Sequence, residues 1–175
     1  MKLIISNAIL ILILSMLISC STIPKGITAV QQFDKMKYLG KWYEIARLDF
    51  KFERNLNNTT AEYSSNSNGT IKVLNKGYNT KTNEWKSATG KAKFVKDENV
   101  AMLKVSFFGP FYSGYNVIAI DKEYKYALVA GNSLKYLWIL SRSPAIPDDV
   151  KKNYLELAKS VGYKIDELVW VKHDK

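Results

Sequence analysis

The chain has 175 residues, enough for one domain with a full core and too few for two ordinary ones. Apolar residues make up 47% of it, which excludes intrinsic disorder, and its 11 Tyr, 7 Phe and 4 Trp lean toward strands rather than helices. The formal charge of +10 suits acidic partners such as anionic headgroups or nucleic acid. Lysines are spread along the whole chain, as on an ordinary solvated surface, so charge alone selects no function.

Met1 and Lys2 precede an apolar stretch over residues 3–18, interrupted by Ser6, Asn7 and Ser15. One cation and a short apolar segment read as a secretory signal, residues 1–19, because a membrane-spanning helix needs about 20 apolar residues. The stretch ends Leu17-Ile18-Ser19-Cys20, and Cys20 is the only cysteine, so export offers it no disulfide within the chain. This end resembles the bacterial lipobox, which implies cleavage before Cys20 and its acylation; one acyl chain binds membranes only marginally, so a stable anchor takes more than one. Ser21 after the cysteine implies, by the same resemblance, sorting to the outer membrane with the body facing the periplasm. Residues 20–32 read as a lipidated tether.

From Lys41 onward, short runs rich in Tyr, Val, Ile and Thr alternate with turn-forming clusters at 66–69, 79–83, 96–99, 109–110, 121–123 and 131–132. Eight strands fit. In residues 71–76 and 101–107 the odd positions share a largely apolar face, as alternation across a half-buried strand requires. In residues 88–94 the inward set Ala88, Gly90 and Ala92 is small, which leaves space inside. One long helix is expected: Asp148 and Asp149 suit an N-terminus, Val150, Tyr154, Leu157, Ala158 and Val161 recur at helical spacing, and Gly162 is placed to end it. A short strand over residues 168–171 follows. The expected fold is all-β, an eight-stranded antiparallel up-and-down barrel over residues 33–175, with one helix on its wall.

Three segments together resemble the lipocalin signature: Gly40-Lys41-Trp42 on the first strand, residues 117–124 with Ile120 where many members have Thr, and Leu137-Trp138-Ile139-Leu140-Ser141-Arg142. The resemblance covers residues 33–171, and residues 75–79 and 106–112 are similar to bacterial lipocalins, relatives of apolipoprotein D. With strands alternating in direction, Trp42, the 121–124 turn and Arg142 meet at one end and close it. An Arg over an indole face is worth about 0.5–2 kcal/mol, so both are assigned to structure. The mouth is then formed by residues 48–58, 78–85, 107–115 and 131–135. The rings of Phe107, Phe108, Phe111 and Tyr112 either form an apolar contact patch there or fold inward and seal the lumen.

The resemblance implies that Tyr63, Asn75 and Trp138 line the lumen, holding a fatty acid or lysophospholipid. Independently, Asn75 shares a strand face with Ile71 and Val73, and Trp138 with Leu140. Lys51 and Arg54 are candidates for headgroup contacts at the mouth. The expected function is storage or transport of single-chain lipids, without cofactor, metal or catalysis. The sole histidine, His173, lies almost at the C-terminus, and Glu44 has no evident partner in the sequence. Export argues against nucleic acid as a partner; a homodimer is left open. The competing reading is a structural or adhesive surface lipoprotein with a filled barrel.

Overall fold

The computed structural model describes residues 22–175. The signal read over residues 1–19 and the lipidation site Cys20 lie outside the described residues. A single helical turn, α1 (Lys35–Tyr38), leads into β1 (Gly40–Leu48), β2 (Leu56–Ser65), β3 (Ile71–Asn79), β4 (Glu84–Phe94), β5 (Met102–Phe108), β6 (Phe111–Ile120), β7 (Tyr126–Ala130) and β8 (Leu137–Ser141). Helix α2 (Asp148–Ser160), a 3-10 turn (Ile165–Glu167) and β9 (Leu168–Trp170) complete the chain. Consecutive strands pair antiparallel and β8 pairs back onto β1, so the first eight strands close into a barrel.

Every turn cluster in the sequence separates two strands, and the side chains show why. Between β6 and β7, Asp121 Oδ1 accepts from the backbone N–H of Lys125 at 2.7 Å and of Tyr126 at 2.6 Å, while Tyr124 takes a left-handed φ of 56°. Gly162 stands just beyond the end of α2 with φ 99°, a conformation that costs a residue without a Cβ little.

Burial alternates cleanly where one face meets water: Ile71 and Val73 of β3 are buried and Lys72 between them is exposed. In β1 burial is continuous from Glu44 to Leu48, because α2 covers the outside of that wall. Two apolar clusters result. Phe33, Tyr38, Trp42, Tyr63 and Val117 fill the lower lumen, whereas Ile45, Ala46, Leu48, Leu137 and Ile139 pack against Tyr154 and Ala158 of α2. The Tyr154 hydroxyl donates to the Tyr126 carbonyl at 2.8 Å, so the helix is pinned as well as packed.

The register of β1 against β8 shifts between Glu44 and Ala46, and Ile45 and Ala46 both belong to the helix-side cluster. Such a bulge reverses the alternation beyond it and sets Arg47 on the same side as Glu44. β1 pairs with β2 only from Gly40 to Tyr43, which leaves the mouth half of the β1–β2 seam open. The C-terminal segment fills that gap: β9 pairs with Ala46–Leu48, and Asn58 donates to Asp174 and accepts from the backbone N–H groups of Asp174 and Lys175.

The segment read as a tether does not hang free from residue 22 onward. Ile27 and Ala29 are buried, Val30 exchanges backbone hydrogen bonds with Val117 and Ala101, and Phe33 N–H bonds the Asn99 carbonyl. Pro24 and Gly26 interrupt it and its apolar residues keep to no single period, which is why the sequence reads as a linker.

Candidate functional site

At the closed end, the Arg142 guanidinium lies 3.9 Å from the centroid of the Trp42 ring. It donates to the carbonyls of Lys37, Tyr38, Leu39, Lys41 and Tyr124, and Trp42 Nε1 donates to the Tyr38 carbonyl at 2.8 Å. Trp42 is fully buried, and neither residue borders the cavity above it. The Tyr124 hydroxyl accepts from Asp34 N–H, which ties α1 to the same knot.

Above this floor lies a cavity of about 570 Å³, reaching from Tyr38 and Tyr115 up to Phe52, Phe108 and Phe111 at the rim. The size suits a small-molecule site, which typically spans about 300–1,000 Å³. Tyr63, Asn75 and Trp138, expected to line the lumen, all stand on this wall. Tyr63 and Tyr38 each share a hydrogen bond with the Tyr115 hydroxyl, at 2.8 and 2.5 Å, and burial pushes all three phenols well up, so they stay neutral. Asn75 Oδ1 is buried without a hydrogen-bond partner among the described residues, an acceptor left open on the lumen wall.

The expectation that Ala88, Gly90 and Ala92 leave space holds for two positions of the three. Ala88 and Ala92 border the cavity, but a Cβ at residue 90 would stand 2.8 Å from Phe107 Cδ1, so that ring occupies the gap the glycine leaves. The four-ring hairpin therefore divides. Phe107 folds inward, Phe108 and Phe111 stay 67% and 78% exposed, and Tyr112 lies under the ammonium groups of Lys93 and Lys104.

Lys51 and Arg54 do not reach the cavity wall. Lys51 is exposed, and Arg54 pairs with Asp49 at 2.9 Å on the outside of the same loop. The loop instead turns Glu53 inward, where its carboxyl Oε2 accepts from Trp138 Nε1 at 3.0 Å and lies 3.9 Å from Arg47 Nε. Arg47 is 1% exposed and donates to Glu44 at 2.6 Å and to the carbonyls of Glu53 and Leu56. Arg47 is thus the partner of Glu44 that the sequence did not reveal. One guanidinium serves two carboxyls. Burial, helped by the Glu44 charge, holds Glu53 up at about 8 against the pull of Trp138 and Arg47. Burial also raises Glu44, with Arg47 opposing.

The sequence contained Glu44, Arg47 and Glu53, but the bulge that turns Arg47 onto the inner face carries no local signal. His173 is spent on structure: Nε2 lies 2.8 Å from the Glu44 carbonyl and the ring meets Tyr43 edge-on. Among the described residues no three His, Cys, Asp or Glu side chains are grouped to hold a metal.

Residues 33–173 match the lipocalin-like domain family. The chain is 53% identical to outer membrane lipoprotein Blc of Citrobacter freundii over 90% of each chain, and 51% identical to that of Escherichia coli K12 over 89% of each. It is 37% identical to apolipoprotein D of Rattus norvegicus, covering 68% of this chain and 66% of that one. Among solved structures, insecticyanin from the tobacco hornworm Manduca sexta superposes with a TM-score of 0.71 at 19% identity, over 89% of this chain and 88% of that one, a likeness of fold. A closed barrel, an Arg-capped floor and this match over most of the sequence agree: the chain belongs to the lipocalin family.

Proposed function

We propose that the protein is anchored to the outer membrane through an acylated Cys20, faces the periplasm, and stores or carries single-chain lipids, fatty acids or lysophospholipids, in its lumen without transforming them. The observation that carries this reading is the 570 Å³ cavity, open at the rim and walled mainly by apolar side chains. A barrel filled by its own rings, as a purely structural or adhesive protein would have, leaves no such space. The kinship with proteins named outer membrane lipoproteins supports the location.

Burying one methylene is worth roughly 0.8 kcal/mol, so a chain of about sixteen carbons gains on the order of 12 kcal/mol before association costs of about 4–15 kcal/mol. A bilayer offers the same chain the same gain. Selectivity therefore rests on polar groups: Tyr63, Asn75 and Trp138 as ligand contacts inside, and Lys51 and Arg54 as headgroup contacts outside the rim. The aromatic face of Trp138, stacked on Tyr136 and edge-on to Phe50, makes its emission a reporter of occupancy. Titration with oleate and with lysophosphatidylethanolamine is expected to change that emission saturably at micromolar ligand; a flat titration with both lipids contradicts the proposal.

A further inference from the structure

We infer that the mouth of the barrel docks on the bilayer that carries the anchor, and that the N-terminal strap over residues 22–33 sets this orientation. The inference rests on the reading of Cys20 as the anchor point. The strap enters from the closed end, where Phe33 bonds Asn99, passes Val117 through Val30, and reaches Gly114 and Asn116 at Thr22. Asn116 is fully buried, and its Nδ2 donates to the Thr22 carbonyl at 2.7 Å as well as to the carbonyls of Ala130 and Gly131. Gly114 allows this approach, since a Cβ there would overlap the Thr22 carbonyl oxygen. These two residues, three and five positions from Phe111, hold the strap against the wall, at Gly114 about 10 Å from the rim at the usual rise of a strand.

Reach then decides the orientation. One residue, Ser21, separates Thr22 from Cys20, a span of at most about 7 Å between their Cα atoms. The closed end of β6 at Ile120 lies six residues from Gly114, about 20 Å away, beyond what that span covers. The rim itself suits a lipid surface. Phe52, Phe108 and Phe111 are 69%, 67% and 78% exposed, and the rings of Phe52 and Phe108 lie 6.0 Å apart. Around them the mouth loops present Lys51, Lys81 and Lys135, exposed and without an ion pair among the described residues, while the acidic Asp49 and Glu84 are already paired with Arg54 and Lys86. Apolar tips within a ring of unpaired lysines match a surface of anionic headgroups over acyl chains. In this pose a single-chain lipid enters the lumen from the bilayer without crossing water.

The test uses the full acylated chain in vesicles of phosphatidylethanolamine and phosphatidylglycerol that contain a spin-labelled lipid. A bimane probe is placed at Phe111→Cys or, in the closed-end turn, at Lys122→Cys. Quenching at position 111 is expected to exceed that at 122 at least threefold. Gly114→Ala, which pushes on the strap from outside the lumen, is expected to bring the ratio toward one with Trp42 emission unchanged. Should that variant not fold, Lys51→Glu with Lys81→Glu and Lys135→Glu serves instead, and is expected to lower the ratio only when phosphatidylglycerol is present. Equal quenching at the two sites in protein of the full triacylated mass overturns the docking alone, and so does cross-linking of 111 to 111 between copies with no quenching. A mass without acyl additions overturns the anchor reading together with the docking.

Discussion

The two ends of the barrel are built from the same kinds of residue and do opposite things. At the closed end the arginine, Arg142, finds five carbonyl oxygens and an indole face, and the cavity does not reach it. Toward the mouth the arginine, Arg47, is shared between two carboxyls, its Nε has no hydrogen-bond partner, and a cavity opens beside it. Among the described residues Thr59 Oγ1 and Asn75 Oδ1 on the cavity wall are buried without a hydrogen-bond partner, as are Asn116 Oδ1 and Tyr163 Oη away from it. Buried polar groups left short of partners cost stability, a cost that a hydrogen bond from a guest would offset at Thr59 and Asn75.

The closed end is the more sensitive of the two to substitution. Arg142→Ala strips the carbonyls of Lys37, Tyr38 and Leu39 of a charged donor and is expected to cost about 3 kcal/mol or more in urea unfolding. Lipid binding by the protein that remains folded should be unchanged. At the mouth, the next effect is one of pH. The Glu53 carboxyl, held up at about 8 by burial, keeps its proton in the fold where the unfolded chain, with a value near 4.5, has lost it. Stability therefore falls as pH rises from about 4.5 to about 8 and levels off above. Glu53→Gln should flatten that part of the profile, as read by thermal unfolding across the range.

Smaller changes sharpen the contrast. Asn75→Leu removes the acceptor that has no partner, with an expected gain of about 1 kcal/mol in stability and a weaker hold on lipids with hydrogen-bonding headgroups. Phe111→Ser at the exposed rim should leave unfolding within about 0.5 kcal/mol of the parent protein.

Much of the scaffold was legible because its signals are local. Turn clusters such as Asp121 to Glu123 act through their own backbone neighbours, and Trp42 and Arg142 meet as soon as strands alternate in direction. The lumen wall was legible in part, since Asn75 and Trp138 follow from strand parity. What stayed hidden depends on single-residue shifts and on loops. The bulge at Ile45 and Ala46 turns Arg47 inward, and nothing in Glu44-Ile45-Ala46-Arg47 announces it. In the loop after β1, Lys51, Glu53 and Arg54 lie within four residues, and only the fold shows that the acid, not either base, faces the lumen. The pairing of Gly90 with the Phe107 ring and that of Gly114 with Thr22 likewise join positions far apart in the chain.

The central claim is that a guest, and not the protein, occupies the lumen. Calorimetric titration of lysophosphatidylethanolamine into the delipidated protein, run beside an Ala88→Trp variant whose new ring projects into the cavity, addresses it directly. One lipid bound per chain in the parent protein, and at least a tenfold loss of affinity in the variant, is the predicted result. Equal binding by the two proteins, or none by the parent, would contradict it.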